Sequence, residues 1–368
     1  MNELLKNFLE RVVPGTVQRW QNMYVVDLYI EEETEDYMLS SEAFERGILK
    51  VEEKSESGSV PEIRVKNRGN KPVLILAGEK LIGAKQNRVV NVPIWVPANT
   101  TILIPVSCME KGRWGFKRRD FEAGKGFVPQ QLLRTMNRRV RKNVEKFKRL
   151  QADQGEVWKM VDRYGSVHGV YNSTADLHDM MQKTEQKYRD YLKAFKHLKR
   201  QTGLMVFIDG EIAGADILTN HEKFGALFDE YIKSYASEAY LSLIKKGKRH
   251  SWSVFSESNI PDETILQTAR SFLNDAKKAR VQITESPGKG YDYRFASERT
   301  EGLALVVDEK VIYMSLYPND NRGSDEEDEY GFFSRDPFRF LNVNRARRTR
   351  SDSDIREGLF GRISKKKV

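Results

Sequence analysis

The chain has 368 residues, of which 39% are hydrophobic and 31% charged, and its formal net charge is +9. The single cysteine excludes an intramolecular disulfide, and no apolar run approaches the roughly 18 residues needed to cross a bilayer. Length and composition suit a cytoplasmic protein without a membrane partner, built as two domains or as one large domain with an extension. The first residues predict an amphipathic helix and not a signal peptide, because carboxylates come early.

The first part of the chain, residues 1–128, is strand-rich. Alternating or β-branched segments predict strands at 23–30, 48–52, 62–66 and 73–76, with a short helix at 41–46. Residues 88–96 and 100–106 predict a hairpin around Pro97-Ala98-Asn99. Pro93 and Pro97 place that hairpin at an edge or a bend, since proline cannot donate to a central ladder. We expect a sandwich or rolled sheet here.

Helices dominate the next part, residues 129–317. A basic helix is predicted at 130–150 and a second at 177–198, with Ser173 as its N-cap and Asp176 three residues on. Asp209-Gly210 predicts a hairpin between strands 204–208 and 211–218, and Asn220 predicts the cap of a long helix. A further helix at 262–278 precedes strands at 280–284, 291–296, 303–307 and 311–316.

The last residues, 318–368, predict a disordered tail that is first acidic and then basic, because few aliphatic residues remain to offset the entropy of ordering. The predicted fold class is α+β. Its parts are the β-rich N-terminal sheet, central helices, a second small antiparallel sheet packed behind the first part, and the charged tail.

Polar residues are densest between positions 76 and 114, among segments typical of buried strands. Cys108 lies there between two carboxylates, Glu79 and Glu110, and two arginines, Arg88 and Arg113. A thiol near arginine can act as a nucleophile, and two carboxylates can act as acid and base. The alternatives are a small buried cysteine and carboxylates paired with arginine in a structural network.

Residues 78–85 resemble a phosphate-binding loop only superficially. Ala84 separates Gly83 from Lys85, and Gln86 stands where a metal-binding hydroxyl belongs, so we reject that motif. A glycine turn remains, whose amides could face an anion together with Lys80, Lys85 and Arg88. The alternative is a plain connecting turn. No H-x-x-x-H or C-x-x-C spacing predicts a zinc site, and a carboxylate-bound magnesium ion stays open.

The predicted basic helix offers another surface. Its cations could contact nucleic-acid phosphates, although sparse aromatic residues argue against sequence-specific recognition. The residues concerned are Arg134, Arg138, Arg141, Lys142 and Arg149. The alternative is a helix that faces solvent or an acidic partner.

The pattern of residues 77–114 resembles the ARG and rhodanese-phosphatase-superfamily-associated protein domain, where ARG stands for ADP-ribosylglycohydrolase. The resemblance rests on Ala77-Gly78-Glu79, Gly83, Gln86-Asn87-Arg88, residues 106–110 and Gly112-Arg113-Trp114, and it covers residues 1–317. It implies a role around ADP-ribose, NAD-derived or nucleotide ligands, and partner proteins encoded by neighbouring genes. It also implies that Arg88 and Arg113 clamp a phosphate or carboxylate and that Trp114 stacks on a base or packs on the sheet.

Our leading hypothesis is a protein that binds a nucleotide-like or ADP-ribosyl ligand, and whether it also processes that ligand stays open. The predicted catalytic residues are Cys108, Glu79 and Glu110, and the predicted ligand contacts are Lys80, Gln86, Asn87, Arg88, Arg113 and Trp114. One alternative is a nucleic-acid-associated protein that uses the basic helix and the tail. Another is a non-catalytic interaction module of a multi-protein system. The sequence assigns no cofactor.

Overall fold

A computed structural model describes residues 2–31, 35–56, 58–249 and 260–319 of the chain. The predicted tail lies outside these residues from position 320 onward. The helices are α1 (Glu3–Arg11), α2 (Ser40–Glu45), α3 (Gln130–Phe147), α4 (Gln154–His168), α5 (Leu177–Thr184), α6 (Arg189–Ala194), α7 (His221–Arg249) and α8 (Asp262–Ala276). A 3-10 turn, Glu185–Tyr188, joins α5 to α6.

The strands form three sheets. The N-terminal ones are β1 (Val13–Trp20), β2 (Met23–Tyr29), β3 (Met38–Leu39), β4 (Leu49–Glu53), β5 (Glu62–Asn67), β6 (Val73–Ile75), β7 (Glu79–Gly83), β8 (Arg88–Val90), β9 (Ile94–Val96), β10 (Thr101–Cys108) and β11 (Phe121–Phe127). The later ones are β12 (Gly203–Ile208), β13 (Glu211–Leu218), β14 (Arg280–Glu285), β15 (Tyr291–Ala296), β16 (Thr300–Val307) and β17 (Lys310–Pro318).

The largest sheet has eight antiparallel strands in the order β1-β2-β12-β13-β17-β16-β15-β14. One face packs on α1 and α8 through residues such as Phe8, Val26 and Phe272. The other face packs on α7 and the central helices through residues such as Val25 and Phe228. Mixed α+β architecture is therefore confirmed. This sheet takes β1 and β2 from the N-terminal part, because β2 pairs along its length with β12.

The second sheet, β11-β7-β8-β10-β5-β4, carries most of the predicted site residues, and the third is β3-β6-β9. The predicted hairpin of 88–96 with 100–106 is wrong in part. Its first arm breaks before Pro93 into β8 and β9, and only β8 pairs with β10, whereas β9 pairs with β6. A proline without an amide hydrogen at the break lets the chain pass from one sheet to the other.

Two helix predictions also need correction. Asp176, and not Ser173, caps α5, because its carboxylate accepts a hydrogen bond from the amide of His178. The predicted helix 177–198 is interrupted by the 3-10 turn and ends at Ala194. The hairpin at Asp209-Gly210 and the Asn220 cap are confirmed: Asn220 accepts from the amide of Lys223 at 2.9 Å.

Candidate functional site

The 77–114 segment brings its polar residues together through strand pairing. In the second sheet, β8 lies between β7 and β10, so that Arg88 pairs with Leu81 on one side and Cys108 on the other. Lys80 pairs with Val89, the next residue along β8. Successive side chains of a strand point to opposite faces, so Arg88 and Lys80 lie on opposite faces of this sheet. Lys80 is therefore separated from Arg88 and Cys108, which lie on the other face.

Arg88 is completely buried, and its guanidinium contacts several residues on its own face of the second sheet. Its Nη1 donates to Gln86 Oε1 at 3.1 Å and contacts Cys108 Sγ, and its Nη2 lies 3.6 Å from Glu53 Oε1. The guanidinium carbon also lies 5.5 Å from the centre of the Trp114 ring. Among the described residues, Nε and Nη2 have no hydrogen-bond acceptor. This arginine is a buried structural cation with spare donors.

Cys108 ends β10 in a buried position. Burial raises the pKa of its thiol, and the charge of Arg88 offsets only part of that effect. Its backbone is clamped by Gln154, which accepts from the Cys108 amide at 2.8 Å and donates to its carbonyl at 2.9 Å. Reactive cysteines are exposed thiolates in electropositive surroundings. These surroundings favour the structural interpretation of Cys108.

The buried Glu110 and the partly buried Arg113 form an ion pair that fixes the loop after β10. Arg113 donates to Glu110 through Nε at 2.8 Å and Nη2 at 2.6 Å, and its remaining donors reach the carbonyls of residues 83, 84 and 115 and the side chain of Asn87. Burial acts to raise the pKa of Glu110, but the hydrogen bonds from Arg113 and the Asn87 amide outweigh it, and the pKa lies below its usual value. This pairing matches the structural alternative.

Glu79 has no arginine partner among the residues that the structure describes. Its carboxylate accepts from the amide of Leu76 at 2.8 Å and contacts the hydroxyl of Ser40. Burial raises the pKa of Glu79 to about 7, because these two hydrogen bonds compensate only partly for lost hydration. Glu79 is therefore a carboxyl group that changes its charge near neutral pH.

Lys80 lies on the other face of the sheet and is only 4% exposed. Its ammonium has neither a hydrogen bond nor an ion pair within the part of the chain that the structure describes. Burial and the positive charge of Lys233 lower the pKa of Lys80 from 10.5 to about 8. Glu230, Glu185 and Asp176 act in the opposite direction and do not restore it.

Charged groups from three other segments surround Lys80. We call them the Lys80 cluster: Lys80 of β7, Asp176 and His178 at the start of α5, Glu185 of the 3-10 turn, and Glu230 and Lys233 of α7. Burial, with the charges of Lys80 and Lys233, lowers the pKa of His178 to about 4. Considering only the described residues, His178 Nδ1 and Glu230 Oε2 are buried without hydrogen-bond partners.

Glycines of β11 leave space beside this cluster. A Cβ at Gly124 would lie 2.5 Å from the Lys80 Cβ, and one at Gly126 would lie 1.9 Å from Glu230 Oε2. Larger residues at these positions would push both charged side chains away. The absence of side chains at these two positions of β11 therefore allows Lys80 and Glu230 to pack against the strand.

The remaining predicted contacts are divided. Gln86 and Asn87 are buried, and Gln86 accepts a hydrogen bond from Arg88. Asn87 donates to Asp176 at 3.0 Å and accepts from the Gly83 amide at 2.9 Å. Trp114, in contrast, is 49% exposed on the loop after β10.

The basic helix α3 directs three of its arginines into the protein. Arg134 pairs with Glu238 at 2.7 Å, while Arg138 and Arg141 pair with Glu301 at 2.9 and 3.2 Å. Glu301 is fully buried, and Lys142 is half-buried with an interaction of its own. Arg149 is exposed just beyond α3. Most of the predicted nucleic-acid surface is thus occupied by internal carboxylates.

Three other features of the described residues concern metal ligands, membrane helices and cavities. They contain no group of three or more histidine, cysteine, aspartate or glutamate side chains placed to hold a metal ion. No helix in those ranges is long and apolar enough to cross a membrane. A cavity of about 30 Å³ lies between α3, α4, α5 and α7. This volume can hold water but not a nucleotide, and none of the predicted site residues lines the cavity.

Comparison with known proteins identifies the family. The profile of the ARG and Rhodanese-Phosphatase-superfamily-associated Protein domain matches residues 11–317, which is most of the chain. The chain belongs to this family. The search of curated proteins and the search of solved structures gave no match. The family assignment agrees with the resemblance seen at residues 77–114. The description of the family names no reaction.

Sequence reasoning includes Lys80 among the ligand contacts but misses its neighbours. His178 stands isolated on its helix in the sequence, and Glu230 and Lys233 have the pattern of a solvated face of α7. The signal that could have found them is the pair of glycines in β11, which indicates a close approach by other groups.

Proposed function

We propose that this protein binds a nucleotide-like ligand of the ADP-ribosyl class at the Lys80 cluster. The observation that supports the proposal is Lys80, a residue that is 4% exposed and whose ammonium has no hydrogen bond or ion pair among the described residues. An unpaired buried cation is unfavourable and is retained where it serves a site. A phosphate group would supply the missing counter-charge and hydrogen bonds.

The mixed charge of the cluster suits a ligand with more than one kind of polar group. Lys80 attracts phosphate beside Lys233, whose ammonium is paired with Glu185 at 2.6 Å, whereas Glu230 Oε2 is a buried acceptor without a donor among the described residues. A ribose hydroxyl is a donor of the required kind. Phosphate and ribose occur together in ADP-ribose and other nucleotides, and the family name, which includes ADP-ribosylglycohydrolase association, points the same way.

The proposal covers binding and assigns no reaction. Cys108 is buried with a raised pKa, and Glu110 is neutralised by Arg113. Glu79 retains a pKa suited to a general acid or base, although its carboxylate is held by Ser40 and Leu76. Arg88, Arg113, Gln86 and Asn87 act in this proposal by holding the sheet and its loops, and not by touching the ligand.

Thermal unfolding of the full chain with ADP-ribose tests the proposal. A ligand at 100 times its dissociation constant stabilises the native state by about 2.7 kcal/mol. We expect this stabilisation for the parent protein and its loss in Lys80→Met. Lys159→Met is the matched control, since it removes the same charge from an exposed side chain. Equal stabilisation of the parent and Lys80→Met would contradict the proposal, as would no response of the parent to ADP-ribose, NAD or ADP.

A further inference from the structure

A second surface, separate from the Lys80 cluster, is formed by the loop of residues 111–119. Its sequence, KGRWGFKRR, contains five cations, two aromatic residues and no carboxylate. Trp114 and Phe116 are 49% and 52% exposed, and neither ring belongs to the buried apolar cores of the described residues. Two adjacent exposed rings need an explanation, because folding would favour their burial.

The loop is held in place by its backbone and by Arg113. Arg113 donates to the carbonyls of Gly115 at 2.9 Å and Ala84 at 2.7 Å, and the amide of Lys117 donates to Ala84 at 3.0 Å. At the other end, the amide of Gly112 donates to Thr174 at 2.7 Å, in an approach so close that a Cβ at Gly112 would lie 2.9 Å from the Thr174 Cα. The rings are therefore presented by a fixed scaffold.

Cations orient the two rings. Lys85 Nζ lies 5.5 Å from the centre of Trp114 and 5.0 Å from the centre of Phe116, and the buried Arg88 lies 5.5 Å from Trp114. Such cation–π contacts favour one ring orientation before any partner arrives. Among the described residues, the side chains of Lys117 and Arg119 have no ion-pair partner, whereas Arg118 pairs with Glu122. Free cations thus stand beside pre-oriented aromatic faces.

We propose that the loop of residues 111–119 binds single-stranded nucleic acid. Bases stack on Trp114 and Phe116, while Lys85, Lys117 and Arg119 attract the phosphates, which is the combination that single-strand binding surfaces use. Duplex grooves are read by a helix or a β-ribbon, and this loop is neither. A membrane surface would require more apolar area than two rings, since residues 111–119 contain no aliphatic side chain.

This proposal goes beyond the proposed ligand site and moves the predicted nucleic-acid contact away from α3. There, Arg134, Arg138 and Arg141 are held by internal carboxylates. The two proposals fail separately, because one depends on Lys80 and the other on Trp114 and Phe116.

Fluorescence anisotropy with a labelled oligothymidylate of about ten nucleotides tests the proposal on the full chain. Trp114→Ala and Phe116→Ala should each weaken binding on the order of tenfold, and the double variant more. Tyr171→Ala is the matched control: its ring is 71% exposed on another segment, and its removal should leave binding unchanged. Arg149→Ala should also leave binding close to that of the parent.

Salt dependence gives a second readout. Replacing Lys117 and Arg119 by glutamine should reduce the slope of log affinity against log salt by about 0.7 for each phosphate that the variant no longer neutralises. Binding that survives removal of both rings would overturn the proposal and would assign any affinity to other basic segments. Displacement of the oligonucleotide by ADP-ribose would overturn it as well, because the rings would then belong to the small-ligand site. Binding to anionic vesicles with no binding to the oligonucleotide would have the same consequence.

Discussion

Lys80→Met should stabilise the protein in the absence of ligand. The pKa of Lys80 falls from 10.5 to about 8 on folding, chiefly because of burial. A pKa difference of about 2.5 corresponds to roughly 3 kcal/mol at about 1.4 kcal/mol per pKa unit, which is an upper limit on the unfavourable free energy of holding the ammonium charged inside the fold. Methionine keeps the length of the side chain and removes that charge.

The sign and the pH window follow from the direction of the shift. Below about pH 8 Lys80 is charged in both the folded and the unfolded chain, and the full penalty applies. Between about pH 8 and 10.5 the folded state releases the proton first, so the parent gains stability relative to the variant as pH rises. The advantage of Lys80→Met should therefore be largest at pH 7 and should disappear towards pH 10.5.

Urea unfolding of the parent, Lys80→Met and Lys159→Met at pH 7 and pH 10 measures these differences. Comparing the variants at each pH cancels the titration of other groups. The control should follow the parent at both values. If Lys80→Met were destabilised, and equally so at both pH values, Lys80 would be engaged in a favourable ion pair and the case for an unsatisfied cation would be refuted.

Three further outcomes are expected. Glu79→Gln should remove the loss of stability that the parent shows as pH rises from about 4.5 to 7, since burial raises the pKa of Glu79 to about 7; a variant-to-parent difference independent of pH would contradict this. Arg113→Ala should lower the free energy of unfolding by about 3–5 kcal/mol, because Glu110 is left as an unpaired buried charge, and Glu110→Gln in the same chain should recover part of it. Cys108 should react with a thiol reagent only after unfolding, and rapid labelling of the native protein would show the opposite.

Local signals predicted much of the secondary structure. Asp209-Gly210 adopts the positive backbone angles that a tight hairpin requires, and Asn220 caps its helix, because both depend on residues a few positions away. Both Ser173 and Asp176 have side chains that can cap a helix, and the local sequence did not decide which of them caps α5. Asp176 also binds Asn87, which fixes it at the start of α5.

The sequence by itself determined the α+β class and showed that polar residues are concentrated in 77–114, because apolar periodicity and polar density can be read from neighbouring residues. Only the tertiary structure decided which charges meet. Glu301 neutralises Arg138 and Arg141 from 160 or more positions away, and Lys80 meets Lys233 across β7 and α7. Strand alternation places Lys80 and Arg88 on opposite faces of the sheet. The charged groups near each of them come from distant parts of the chain, and long-range packing, which no local pattern encodes, brings them there.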